Sequence, residues 1–415
     1  MSTSRPTLAL VCFSTLLIPA HAQAEARDAR LLATACNQFA ADLHGKLAGS
    51  GPTASPASIG LALLMLVPGA RGDTEKELVA VLHLPEELRG ARLHAAAKDL
   101  LERIGVVQKG AHDTDGPQLR LANDVWTQTG YPIVADYTNL LRSSYGAMHH
   151  DVAFRESAAA ARKTINAHIA DVTNQRIPEL LTPDLVTPAT RVVLTNAIWL
   201  KAAWLHAFRE SATGPGPFTL ADGTAIEVPT MRLVELFAYA ETDDWQCVVL
   251  PFAHCRLQCE LVLPRPGRSL AGAEHALLNG ASTALLAGET VQVRLPRFRV
   301  VGAHKLRAPL EALGLHCAFD ATRADFSGIS PTKALVVDDV VHQTWIQVDE
   351  AGAEAAAATA VVMKAGSAAR PREPKVFAAE RPFAFVLRDR TTGLVLFLGR
   401  VDDPRQAPTA ARPAR

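Results

Sequence analysis

The order in which helical and extended patterns follow one another is the strongest constraint on this fold. Apolar residues recur at three-to-four spacing in "RDARLLATACNQFAADLHGKLA", in "TEKELVAVLHL" and in "EELRGARLHAAAKDLLERIG". "SPASIGLALLMLV" is apolar all round, as a buried helix is, and breaks at Pro68-Gly69. "RLANDVWTQTG" is an early strand, and a further helix begins after Ser157 with "AAAARKTINAHIADVTNQRI". From Arg191 the character changes. "RVVLTNAIWLKAAW", "QCVVLPF", "CELVLP", "TVQVRLPRFRVV" and "LVVDDVVHQTWIQVDE" are β-rich and separated by turns. "RPFAFVLRDRTTGLVLFLGRVDDP" reads as two strands around a turn at Arg390 to Gly393. Helices come first, strands follow, and the two do not strictly alternate. That pattern predicts an α+β fold in one large domain rather than a doubly wound sheet.

The first residues do not belong to that pattern. "MSTSRPTLALVCFSTLLIPAHAQAEA" carries Arg5, an apolar run from Leu8 to Ile18, and Ala20-His21-Ala22. It reads as a secretory signal over residues 1–22, because the run is shorter than the roughly 20 residues of a spanning helix. The domain then covers 23–404, and the Pro/Ala/Arg-rich stretch 405–415 is expected to be a disordered tail. Lys+Arg and Asp+Glu stand at 42 each, which argues against a nucleic-acid partner. Past the signal, Cys36, Cys247, Cys255, Cys259 and Cys317 remain, an odd number, so at most two bridges are possible. "HCRLQC" brings His254, Cys255 and Cys259 close in sequence, but its strand-like flanks make it a hairpin turn rather than a zinc clamp. "MHHD", Met148 to Asp151, has no partner at ligand spacing and reads as a polar junction. No metal or cofactor is expected. Nucleophile-elbow, phosphate-loop, zinc-protease and dinucleotide motifs are absent. Asp338-Asp339 and Asp402-Asp403 are adjacent, so their side chains diverge. Ser55, Ser58 and His342 can be drawn as a hydrolase site, but no elbow presents a nucleophile.

One segment resists the usual readings. "VDEAGAEAAAATAVVMKAGSAARPREP", Val348 to Pro374, is nearly free of bulk until Val361 and lies between strands. Alanine favours helix, but no apolar face at helical spacing is offered. At period two, Ala353, Ala355, Ala357, Thr359, Val361 and Met363 form a small or apolar face, and Glu354 and Lys364 fall on the other. Such a segment could be an exposed loop that later becomes a strand.

At this point the chain resembles the serpins, from about Ala33 to Pro404. The resemblance rests on "SPASIGLALLMLVPGARGDTEKEL", "LTNAIWLKAAWLHAF", "ADFSGIS", "VVHQTWIQVDEAGAEAAAATA", "ERPFAFVLRD" and "LFLGRVDDP", in order. It implies three β-sheets, about nine helices and an exposed reactive-centre loop, here 349–374. It also implies no enzyme but an inhibitor. A serine protease cuts the loop, is held as an acyl-enzyme, and is displaced when the loop enters the central sheet. The protein is expected to act as a secreted or periplasmic monomer without membrane contact. By resemblance the hinge is Glu350, Gly352, Ala353, Glu354, Ala355, Ala356, Ala357, Ala358 and Thr359. Ser55, Ser58, Asn196 and His342 match the polar cluster under the central sheet, and Trp204 the tryptophan at its top. Ala351, Trp199, Leu200, Ala202 and Asp403 depart from the family's commoner residues. Counting along the loop from Glu350 puts the scissile bond at Gly366-Ser367, with Ala365 and Lys364 as alternatives. Gly366 or Ala365 implies an elastase-like or subtilisin-like protease, Lys364 a trypsin-like one. Arg370 precedes Pro371, a poor setting for cleavage. Two other roles stay open: a non-inhibitory binding or carrier protein, and an inhibitor of cysteine proteases.

Overall fold

A computed structural model describes residues 20–47, 52–105, 117–280, 286–332, 335–353 and 373–406. The elements run α1 (Ala20–Lys46), β1 (Thr53–Ala54), α2 (Pro56–Leu64), α3 (Gly72–Val81), α4 (Ala91–Ile104), β2 (Gln118–Gln128), α5 (Ala135–Leu140), β3 (His149–Val152), α6 (Phe154–Val172) and β4 (Val192–Ala203). They continue with β5 (Gly214–Thr219), β6 (Ala225–Glu241), β7 (Trp245–Pro251), β8 (Leu257–Pro264), α7 (Leu270–Leu278), β9 (Ala287–Pro296), β10 (Phe298–Lys305) and α8 (Arg307–Glu311). Last come β11 (Val340–Val348), β12 (Gly352–Ala353), β13 (Lys375–Ala378), β14 (Phe383–Asp389) and β15 (Val395–Val401). Residues 1–19, 354–372 and 407–415 lie outside the described residues, and with them most of the expected signal 1–22, most of the expected loop 349–374 and most of the expected tail 405–415.

Two hydrogen-bonded networks hold the strands. One is six-stranded, in the order β10-β11-β12-β4-β2-β3. The other has nine strands, β1-β15-β14-β8-β7-β6-β9-β13 with β5 on β6. The second contains two sections, joined only where Ala238 to Glu241 of β6 pair with Gln246 to Val249 of β7. Counted by section, the sheets number three.

Alternation in β4 explains how the six-stranded sheet is covered. Leu194, Ile198, Leu200 and Ala202 point into the main core shared with α1 and α2. Val193, Ala197 and Trp199 point the other way, under α6, together with Val341 and Trp345 of β11. Both faces are buried, so the strand reads as continuously apolar rather than alternating. α2 has every residue buried, and Ser55 caps it by accepting from the Ser58 amide at 3.3 Å. α6 carries non-helical angles at Ser157, where the sequence pattern starts its helix. The "HCRLQC" stretch joins β7 to β8 through His254, whose φ is +56°, and all five cysteines here are free thiols. Arg405 and Gln406, assigned to the tail by sequence, form a short turn with Pro404 in which Arg405 pairs with Asp403.

The nine-stranded network buries a bidentate ion pair. Arg388 donates to both oxygens of Glu260, at 2.8 and 3.2 Å, and Glu260 is wholly inaccessible. Arg388 also donates to the carbonyls of Leu277 and Gly393, which ties α7 and the β14–β15 turn to the sheet. Arg388→Leu leaves a buried carboxylate without its partner. Urea denaturation should show a loss of about 3–5 kcal/mol, and Glu260→Leu/Arg388→Leu together should cost less than either single change.

Candidate functional site

Within the six-stranded sheet, β4 and β11 are parallel neighbours for only five residues, Leu194 with Val340 up to Ile198 with Thr344. Beyond Thr344 the two strands separate. β12 enters the top of that gap and pairs antiparallel with both: Ala353 with Val348 on one side, Gly352 with Ala203 and Ala353 with Ala202 on the other. Ala353 is buried in the main core, on the interior side of the sheet.

A tight turn brings the chain back from β11 into that gap. Asp349 N donates to Gly352 O at 3.1 Å, and Asp349 Oδ1 accepts from the amides of Ala351 and Gly352 at 3.0 and 3.3 Å. Gly352 sits at φ +150°, and a Cβ there would lie 2.1 Å from Ala202 O. Only glycine meets both requirements.

Glu350 anchors the turn from the side. Arg297 Nε donates to both its oxygens at 2.9 Å, Arg297 Nη2 approaches Oε1 at 2.8 Å, and Thr213 donates to the same oxygen. Burial opposes ionisation of Glu350, but Arg297 and Thr213 outweigh it and hold the carboxyl below its ordinary range. Trp204 closes the top. Its amide donates to Ala351 O, its indole donates to Asp349 O at 2.9 Å, and its ring stacks on Phe252 at 4.6 Å.

Lower in the sheet, one register row is polar. Asn123 of β2 pairs with Asn196 of β4, Asn196 with His342 of β11, and His342 with His304 of β10. Asn196 Nδ2 reaches Ser58 O at 2.6 Å, Ser58 Oγ at 2.8 Å and Asn123 Oδ1 at 2.7 Å. The Ser55 amide donates to His342 Nε2 at 2.9 Å, so that nitrogen is unprotonated and Nδ1–H is left to donate to Asn196 Oδ1. Ser55 Oγ donates to Leu396 O, and Ser55 is wholly buried, so it presents no nucleophile. Burial, helped by His304, pushes the His342 pKa down to about 3. The sequence-selected Ser55, Ser58, Asn196 and His342 thus meet beneath the five-residue seam, and Trp204, Glu350, Gly352 and Ala353 meet at the fork above it. Glu354, Ala355 to Ala358, Thr359, Lys364, Ala365, Gly366 and Ser367 lie outside the described residues. Sequence reading missed Asn123, Arg297, Thr213 and His304. Their roles depend on cross-strand register, which no local pattern carries.

His342 makes the seam sensitive to acid. Unfolded, its imidazole takes a proton near pH 6.5; folded, near 3. Between those values the unfolded chain binds the extra proton, so stability is complete above about pH 6.5 and declines as pH falls. Melting temperatures from pH 8 to pH 4 should fall for the native protein. The gap between it and His342→Gln should narrow over the same range.

The chain matches the family described as Serpin (serine protease inhibitor) over residues 34–404. An uncharacterized serpin-like protein of Thermococcus kodakarensis is 36% identical over 97% of this chain and 92% of its own length. The leukocyte elastase inhibitor of Bos taurus is 32% identical over 90% of this chain and 99% of its own. Human thyroxine-binding globulin in complex with its hormone, 23% identical, superposes with a TM-score of 0.80 over 91% of this chain and 99% of that one. Match, relatives and fold agree, and the chain belongs to the serpin family.

Proposed function

We propose that this protein is an exported suicide-substrate inhibitor of serine proteases, in which the cut loop becomes a strand between β4 and β11. Strand addition by the cleaved loop is the family's established mechanism. The observation that carries the reading for this chain is the register of β12. Ala353 stands opposite Ala202 and Val348. Extending that register down the seam sets Ala355 against Leu200 and Ile346, Ala357 against Ile198 and Thr344, and Val361 against Leu194 and Val340. It sets Thr359 against Asn196 and His342, so the one hydroxyl on the interior-facing side reaches the polar row. The offset between β4 and β11 is the same in their existing pairs, Ile198 with Thr344 and Asn196 with His342, so the extended register fits both strands at once. On the other face, Glu354 comes beside Lys201 and Gln347, both half-exposed. Apolar meets apolar, polar meets polar, and charge stays near water.

Target choice rests on Gly366 and Ala365, small residues that suit an elastase-like or subtilisin-like pocket. The elastase inhibitor among the relatives supports this, and Lys364 keeps a trypsin-like target as the alternative. Incubation with elastase-like, subtilisin-like and trypsin-like proteases should give an SDS-stable complex with one class. Degradation by all of them without a complex would overturn the reading and favour a non-inhibitory role. Ala355→Pro removes a ladder donor near the start of the inserted strand and should turn inhibitor into substrate, seen as cleaved loop without complex.

Export rests on the apolar run and Ala20-His21-Ala22. Mass spectrometry of protein from the medium or periplasm should find a chain beginning near Gln23. An intact Met1 there would refute cleavage.

A further inference from the structure

Met148 to Asp151 gains in three dimensions the partners its sequence spacing lacks. In β3, His150 lies opposite Trp126 of β2, and the two rings stack at 4.1 Å. Asp124 stands two positions before Trp126 on the same face of β2. Across from both, α6 turns Ile165 and Ile169 onto the sheet, which brings His168 over the same spot. His168 Nε2 lies 2.7 Å from Asp124 Oδ2. His150 Nε2 is buried, makes no hydrogen bond, and lies 3.9 Å from Asp124 Oδ1. The three ligand atoms all fall within 4.8 Å of one another.

We propose that Asp124, His150 and His168 form a site for a divalent transition-metal ion of the zinc class, with water in the fourth position, that ties α6 to β2 and β3. Two imidazoles and one carboxylate are a donor set that zinc accepts with an open position. Ligands about 2.0–2.2 Å from a tetrahedral ion stand roughly 3.3 Å apart, between the 2.7 and 3.9 Å contacts now present, so small side-chain shifts suffice. Trp126, edge-on to His168 at 5.3 Å as well as stacked on His150, walls off one side. A cavity of about 130 Å³ borders Asp124 and His168 on another and leaves room for the water. The cavity's charges do not bar a cation: Lys98 and Glu102 pair at 4.0 Å, and Arg120 lies over Trp199. A plain hydrogen-bonded cluster would account for His168, which is already satisfied. It does not account for the buried, unpaired nitrogen of His150.

The site has a mechanical consequence, which rests on the insertion reading above. α6 and the segment that follows it share one buried cluster with β4 on one side of the seam and with Val341 and Trp345 of β11 on the other. A new strand widens the sheet there by about 4.8 Å, so α6 must release one side. A bound ion holds it to β2 and β3, and the release falls on β11.

Metal binding is tested without any protease. The full chain is stripped with a chelator, then titrated with Zn²⁺ against a chromophoric competitor at neutral pH. One ion per chain should bind, be lost on acidification because the imidazoles must be neutral, and raise the melting temperature. His150→Gln and His168→Gln should each weaken binding at least about 100-fold, and Mg²⁺ and Ca²⁺ should not compete. Co²⁺ on the unaltered protein should give the visible bands of a four-coordinate site, a readout that does not need a folded variant. Unchanged affinity in either variant, or no such Co²⁺ spectrum together with no zinc-dependent rise in melting temperature, would overturn the proposal.

Discussion

The parallel pairing of β4 with β11 is the interaction on which the rest of this structure depends. Both strands run the same way, so a chain that leaves β11 and doubles back is antiparallel to each. β12 already occupies that position. A parallel pair is slightly weaker per residue than an antiparallel one, and this one is only five residues long. Antiparallel partners flank it, β10 beside β11 and β2 beside β4. The seam is therefore the weakest pairing in the centre of the described sheet, and an antiparallel strand added there improves the pattern.

What keeps the seam closed is polar. Ser55, Ser58, Asn123, Asn196 and His342 are joined by hydrogen bonds, and Ser55 Oγ also donates to Leu396 O. Parting β4 from β11 separates His342 Nδ1 from Asn196 Oδ1 and threatens to leave buried groups unpaired, at about 1–3 kcal/mol each. A buried polar row is neutral to stability while complete and expensive when half open. On the proposed insertion the row would act as a latch, released when the Thr359 hydroxyl arrives as a replacement partner.

Much of this was legible in the sequence, and the limit has a physical cause. Pattern gave the helical first part, the strand-rich second part and the hairpin at His254. Period two gave the small face beginning at Ala353, and Ala353, the one residue of that face among those described, is buried in the core. Pattern says which face a side chain takes, not which distant residue it meets. Arg297 beside Glu350, and Asp124 beside His150 and His168, are meetings of separate elements. Met148 to Asp151 looked like a junction because its partners sit on β2 and α6. The resemblance singled out Gly352, but the approach of Ala202 O that requires a glycine there was not legible.

Trp199 joins these threads. The resemblance marks it as a departure from the family's commoner residues, together with Leu200 and Ala202. In the fold its indole is buried under α6, with Arg120 over the ring at 5.6 Å. Trp345 lies across the seam with Arg176 over it at 4.9 Å. Two indoles on the α6 side leave little room between β4 and β11. If the loop inserts as proposed, the register set by β12 would bring Ala356 between them, where a larger side chain would press on the cover of the sheet. On the proposed insertion, the alanines on the α6-facing side of the loop would meet this chain's own tryptophans, and the opposite face would meet its core and polar row. The four-alanine run would then answer two surfaces at once, a demand that neither helix propensity nor one-sided alternation expresses alone.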